Sequence, residues 1–231
     1  MSQLFNRKIG NFKYKYSFLS LFINYICKME NLKQKILENA CEMFFDCGTR
    51  SISMDDIAKK LAISKKTLYQ YYSNKQDLIS QALDWELAHP KFSFVSPKFE
   101  NLNAIERYWE FYQFVSEMIK KPHHSLEFDL KKYHPELWNK FKNGKMKLFG
   151  EELKLNLEQG IKEGLYRQEL NIDIVSNLLV RFYLNMWNED YAVFSKEELM
   201  SEELNRELTI YHLHGICSEK GITYLKKITD N

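Results

Sequence analysis

The stretch Ser53–Lys75 reads SMDDIAKKLAISKKTLYQYYSNK, and its punctuation dictates two short helices. Ser53 is an N-cap, with Asp55 and Asp56 in the first turn, where the positive end of the helix dipole favours carboxylates. Ile57, Ala58 and Leu61 form the apolar face of a helix that ends near Leu61, and Ala62-Ile63 makes the turn. Ser64 caps a second helix over Lys65–Tyr72, whose inward residues are Leu68 and Tyr72 at i, i+4. Ser73-Asn74 breaks the chain again. A further helix then runs from Lys75 to Ala88, stopped by Pro90. Upstream, Asn31 with Gln34 opens a support helix over Leu32–Cys47. Its apolar stripe is Ile36, Ala40, Phe44 and Cys47, and Gly48 suits a left-handed residue at its end.

Charge is concentrated on this stretch. Between Lys59 and Lys75 stand five lysines and no acid, whereas Lys33–Pro90 as a whole carries eight basic and eight acidic residues. A basic face on two short helices joined by a tight turn is the geometry that lays one helix in a DNA major groove and neutralises phosphates. Lysine can bond guanine O6/N7 and glutamine adenine N6/N7, which makes Lys65, Lys66 and Gln70 candidates for base edges. Ser53 and Thr67 stand at helix starts, where hydroxyl and backbone N–H groups suit phosphates.

The run IAKKLAISKKTLYQYYSNKQDLI resembles the DNA-binding signature of the tetracycline-repressor (TetR) family of bacterial transcription regulators. The residues that carry the likeness are Ala58, Ile63-Ser64, Thr67-Leu68-Tyr69, Tyr72, Lys75 and Leu78, and with the helix ahead it covers about Leu32–Leu87. The family pattern often has glycine where Ala62 and Lys66 stand. The resemblance implies that Lys65, Lys66, Thr67, Tyr69 and Tyr71 face DNA and that Lys75 contacts a phosphate. It also implies an all-α, TetR-like architecture. A three-helix helix-turn-helix domain (29–88) is followed by a helical effector-binding and dimerisation domain (89–231).

After a Pro-containing linker over His89–Glu100, residues 101–231 read as further helices. They run from Asn101 or Asn103 through Lys121, over Ser125–Tyr133, over Glu136–Gln159 behind Pro135, from an Asp173 cap through Tyr191, and from Ser195 onward. Gly160–Gly164 marks an end or turn, and Gly215 and Gly221 interrupt the last helix. FDLKKYHPELWNKF and QGIKEGLYRQELNIDIV resemble C-terminal regions of such regulators. That implies a homodimer through the last two long helices and binding to an inverted-repeat operator in double-stranded DNA. The aromatic residues Tyr108, Phe111, Tyr112, Phe128, Trp138, Phe141, Phe149, Tyr183 and Trp187 are candidates to line a pocket for an apolar or amphipathic effector, or to form plain core.

The remaining features narrow the function classes. The 231 residues are 45% hydrophobic and 28% charged with 8 Gly and 4 Pro, which suits a helical globular chain and excludes a disordered one. Residues 1–28 hold five basic residues, no acid and a short apolar run at Phe18–Cys27, too short to span a bilayer. They read as an over-extended gene start ahead of Met29, or as an ordered N-terminal arm. Without them the formal net charge falls from +2 to −3, so overall charge says nothing about DNA. Four cysteines without CxxC spacing read as reduced thiols of a cytoplasmic protein. His123-His124 and the His212/His214 pair lack helical ligand spacing, so no metal is expected. No phosphate loop, nucleophile elbow or carboxylate pair appears, so neither cofactor nor enzymatic activity is expected. Two other readings stay open. One keeps DNA binding, with a C-terminal half that binds a partner protein or only dimerises. The other is a helical ligand- or protein-binding module with a vestigial helix-turn-helix.

Overall fold

The computed structural model describes residues 29–119, 126–186 and 194–229. The readings made on residues 1–28, Pro122, His123-His124, Trp187 and the helix end at Tyr191 lie outside the described residues. Two compact units emerge among the described residues: 29–86 with 126–130, and 87–119 with 131–186 and 194–229.

In the first unit, α1 occupies residues 29–51. Ile36, Ala40 and Phe44 are buried as the stripe requires, but Cys47 is exposed, because the chain swings at Gly48 (φ 78°). Three helices follow: α2 (Met54–Lys60), α3 (Lys65–Tyr71) and α4 (Lys75–Ala88). Ser53 closes a reciprocal capping box on α2: its Oγ accepts from the Asp56 N–H at 3.2 Å while the Asp56 carboxylate accepts the Ser53 N–H at 2.9 Å. These bonds hold the Asp56 carboxyl below its usual range. Ser64 Oγ likewise accepts the Thr67 N–H at 2.9 Å to start α3. Between them Ala62 adopts φ 52°, the left-handed region glycine enters freely and alanine only at a cost of roughly 1 kcal/mol.

The sequence places the domain boundary at residue 88; contacts divide the chain at Glu86 and add 126–130 to the first unit. The reason is chemical. Leu126 and Leu130 are buried, and the buried Asp129 carboxylate accepts the Arg50 N–H at 2.8 Å. The segment thereby satisfies a backbone donor just past the Gly48 bend.

The second unit contains α5 (Ala104–Ile119), the rest of α6 (Leu126–Tyr133), α7 (Pro135–Lys162), α8 (Ile172–Met186), α9 (Lys196–Leu199), α10 (Glu202–Ile216) and α11 (Glu219–Thr229). α7 packs on α5 and α8, and α5 on α10. No strand occurs among the described residues; an isolated bridge joins Tyr166 to Cys217.

Several boundaries differ from the sequence reading. α7 passes Gln159 and ends at Lys162, and Gly164 (φ 69°) turns the chain. Gly160 lies inside α7, where an added Cβ would overlap the buried Tyr166 ring. The cap of α8 is Asn171, whose Oδ1 accepts the Ile174 N–H at 3.0 Å; Asp173 instead pairs with Lys154. Ser201 takes a second cap, its Oγ accepting the Leu204 N–H at 3.1 Å, so the helix opening after Ser195 is split into α9 and α10. Gly215 and Gly221 lie within α10 and α11 without breaking them. The linker before α5 holds a 3-10 turn, Pro97–Phe99, and buries Phe94 and Phe99.

Candidate nucleic-acid interface and candidate ligand site

α3 separates its two faces cleanly. Leu68 and Tyr72 are fully buried, and the Tyr72 hydroxyl donates to the Lys33 carbonyl of α1 at 3.3 Å. Burial raises the Tyr72 phenol well beyond its ordinary range, so it stays a neutral core residue. On the other side Lys65, Lys66, Tyr69 and Gln70 are exposed, Tyr69 by 44%, while Thr67 and Tyr71 are half-buried. Ser53 is exposed, but its hydroxyl is already engaged with Asp56 at 2.6 Å, and the Thr67 hydroxyl lies 2.7 Å from that of Ser64. Both serve the caps first.

The lysines are not equivalent. Lys65 Nζ donates to Asp55 Oδ2 at 3.0 Å, tying α3 to α2, and that bond raises its affinity for its proton. Asp55 as its partner has no signal in the sequence, since the two residues are ten apart on different helices. Lys75 opens α4 half-buried. Burial lowers its pKa, offset in part by the nearby carboxylates of Asp129 and Asp56.

The aromatic candidates of the second unit divide as well. Tyr108, Phe111 and Tyr183 come together with Phe149: Phe111 lies 5.3 Å from Phe149 and 6.0 Å from Tyr183, and Tyr108 lies 5.9 Å from Phe111. Phe92 and Phe94, from the supposed linker, join Phe111 at 5.3 and 5.5 Å. Tyr112 is buried one turn further along α5 against Trp109. Phe128 does not belong to this group. It lies in the first unit and is 58% exposed, because α6 turns Leu126, Asp129 and Leu130 inward instead. Trp138 and Phe141 are on the first turns of α7, with Lys131 over the Trp138 ring and Lys145 over the Phe141 ring. A residue the pocket reading missed is His212, whose ring sits 5.0 Å from that of Tyr108. Its Nε2 is buried without a hydrogen-bond partner, and burial pushes its pKa down to about 4. An unsatisfied buried polar atom costs about 1–3 kcal/mol. Among the described residues no group of three or more His, Cys, Asp or Glu side chains comes together to hold a metal ion, and no helix is long and apolar enough to cross a membrane.

The model of bacterial regulatory proteins of the tetR family matches residues 36–82, which covers α1 from its buried stripe through most of α4. The solved TetR-family transcriptional regulator of Cytophaga hutchinsonii superimposes over 84% of this chain and 98% of its own, with a TM-score of 0.60 at 17% identity. Residues 36–82 thus resemble bacterial regulatory proteins of the tetR family, and the chain shares the fold of a solved TetR-family regulator.

Among curated relatives, the HTH-type negative transcriptional regulator IcaR of the biofilm operon icaADBC in Staphylococcus epidermidis is 34% identical over 53 residues, 23% of this chain and 29% of IcaR. The HTH-type transcriptional regulator YvaF of Bacillus subtilis is 32% identical over 90 residues, 38% of this chain and 47% of YvaF. The chain thus spans less than half the length of these curated relatives. Across the second unit the TetR likeness is one of fold.

Proposed function

We propose that the protein is a homodimeric regulator of transcription that binds an inverted-repeat operator through α3 and is released from it by a small molecule. The observation that carries this is the division of α3. Leu68 and Tyr72 anchor it with no exposure, while Lys65, Lys66, Tyr69 and Gln70 project from a rigid, doubly capped pair of helices. In this reading Lys66, Gln70 and Tyr69 meet the groove, and Lys75, with Ser53 and Thr67, meets phosphates. Thr67 and Tyr71, half-buried, line the edge of the contact. The sign of regulation, repression, follows IcaR. The cytoplasm is the expected compartment.

Two copies are needed to read both halves of an inverted repeat. α8 supplies a surface for pairing: Ile174, Leu178 and Phe182 recur at i, i+4, i+8 and are 65%, 66% and 41% exposed. On α10, Tyr211 is 81% exposed. An effector releases DNA only through its different affinity for the two arrangements of the dimer.

Selection of bound DNA from a random pool, followed by titration at several salt concentrations, tests the reading. An inverted repeat is expected. Lys75→Ala should weaken its binding about tenfold and flatten the salt slope by about 0.9, one phosphate contact. Tyr69→Ala should weaken it similarly with the slope little changed. Wild-type affinity in both variants sinks the proposal. Asp55→Asn should act oppositely: with Lys65 released from its partner, affinity rises a few-fold and the salt slope steepens by up to about 0.9. An unchanged slope would show that Lys65 makes no phosphate contact.

A further inference from the structure

His212 is the one side chain of the second unit with, among the described residues, a buried polar atom left unbonded: its Nε2 has no partner, and the Tyr108 ring lies beside it at 5.0 Å. Around it Phe111, Phe149 and Tyr183 are only partly buried, although each packs against other rings. Rings that touch one another and still retain accessible surface offer apolar area that a small molecule can cover.

The polar groups described at this place are neutral. The hydroxyls of Tyr108 and Tyr183 lie 3.3 Å apart, and Tyr183 also bonds Thr209, which donates to the Asn205 carbonyl at 2.8 Å. Asn205 Nδ2 in turn donates to Ser116 Oγ at 2.7 Å. Burial raises both tyrosine phenols and lowers His212, so each stays uncharged at neutral pH. Among the described residues the buried polar side chains of the second unit are Ser116, Asn156, Ser176, Asn205 and Thr209; the buried acids Glu86 and Asp129 both belong to the first unit. A carboxylate or an ammonium entering here would lose its hydration and meet no buried counter-charge among the described residues of this unit. A hydroxyl serves either tautomer of the imidazole, since it donates to a bare Nε2 and accepts from a protonated one.

We infer that the interior bordered by α5, α7, α8 and α10 binds an uncharged, largely apolar molecule whose hydroxyl group hydrogen-bonds His212 Nε2, an inference that rests on the ligand-released reading above. The class is narrower than an apolar or amphipathic effector: it excludes fatty acids, other organic anions and quaternary or primary amines.

Four probes of one shape test this on the full chain by calorimetry: naphthalen-2-ol, naphthalene, naphthalene-2-carboxylate and naphthalen-2-ylmethylammonium. Naphthalen-2-ol is expected to bind about tenfold tighter than naphthalene and at least about tenfold tighter than either ion. His212→Phe, which keeps a ring and removes the nitrogen, should bring naphthalen-2-ol down to naphthalene while leaving naphthalene unchanged. His212→Gln, which keeps a polar end, should retain part of the difference, and circular dichroism checks that both variants keep their helices. A charged probe binding as tightly as naphthalen-2-ol, or naphthalen-2-ol indifferent to His212→Phe, overturns the class while leaving the regulator reading intact. No binding of any probe by a protein that still holds its selected operator overturns the site itself. Failure to bind operator as well brings down the regulator reading.

Discussion

Leu178→Glu is expected to leave the protein monomeric and to weaken operator binding by roughly a hundredfold or more. Leu178 is 66% exposed in the middle of the α8 stripe, between Ile174 and Phe182, while the opposite face of α8 is buried through Ser176, Leu179 and Val180. A charge at Leu178 therefore leaves the fold of one chain untouched and acts only on what covers that face. In a helix pairing with its symmetry mate, the substitution acts twice, once from each copy. Burying an unpaired carboxylate against apolar side chains costs several kcal/mol. With one head per molecule, affinity for an inverted repeat drops to that of a half-site, and the two-headed gain in effective concentration disappears. Sedimentation should show a monomer, and a gel-shift titration the lost affinity, with melting of the single chain little changed. A Leu178→Glu dimer with native affinity would place the pairing surface elsewhere.

Gly221→Ala is expected to cost about 3 kcal/mol, seen as a fall in melting temperature of roughly 6–12 °C. Gly221 lies in the first turn of α11, where its missing side chain lets the helix approach the Leu165 backbone: a Cβ would overlap the Leu165 carbonyl oxygen and lie 3.1 Å from Cys217 Cβ. That carbonyl cannot move away, because it accepts from the Ser218 N–H at 2.9 Å, beside the Tyr166–Cys217 bridge. Gly215 provides the control. A Cβ there meets nothing within 4 Å, so Gly215→Ala should stabilise α10 by about 0.5–1 kcal/mol. Equal effects from the two glycines would mean that α11 is not held by close backbone approach.

The contrast between these glycines shows what the sequence could and could not convey. The first unit was legible because its signals are local. Ser53 and Ser64 mark helix starts through bonds made within one turn, and Leu68 and Tyr72 are inward by spacing alone. Gly215 and Gly221 look alike in the chain, and only the Leu165 carbonyl distinguishes them. The α8 cap was read at Asp173, but Asn171 two residues earlier takes it while Asp173 pairs with Lys154. Ser195 and Ser201 are each followed by paired glutamates, so nothing in the chain said that both would cap. The site residues follow the same rule. The exposed side of α3 could be read from its buried side, whereas the Asp55 partner of Lys65 depends on how α2 meets α3. His212 was weighed only beside His214, as a metal ligand that the spacing rules out. Its place at Tyr108 is set by the packing of α10 on α5.

The bond from the Arg50 amide to the Asp129 carboxylate turns one proton into a reporter. An N–H that donates to a buried carboxylate at 2.8 Å resonates far downfield and exchanges with solvent only when that contact opens. The exchange rate of the Arg50 amide therefore measures how often the segment Leu126–Leu130 lifts from the rest of the unit that carries α3. Measured with and without operator, or with and without a bound small molecule, it registers directly whether either one tightens that latch.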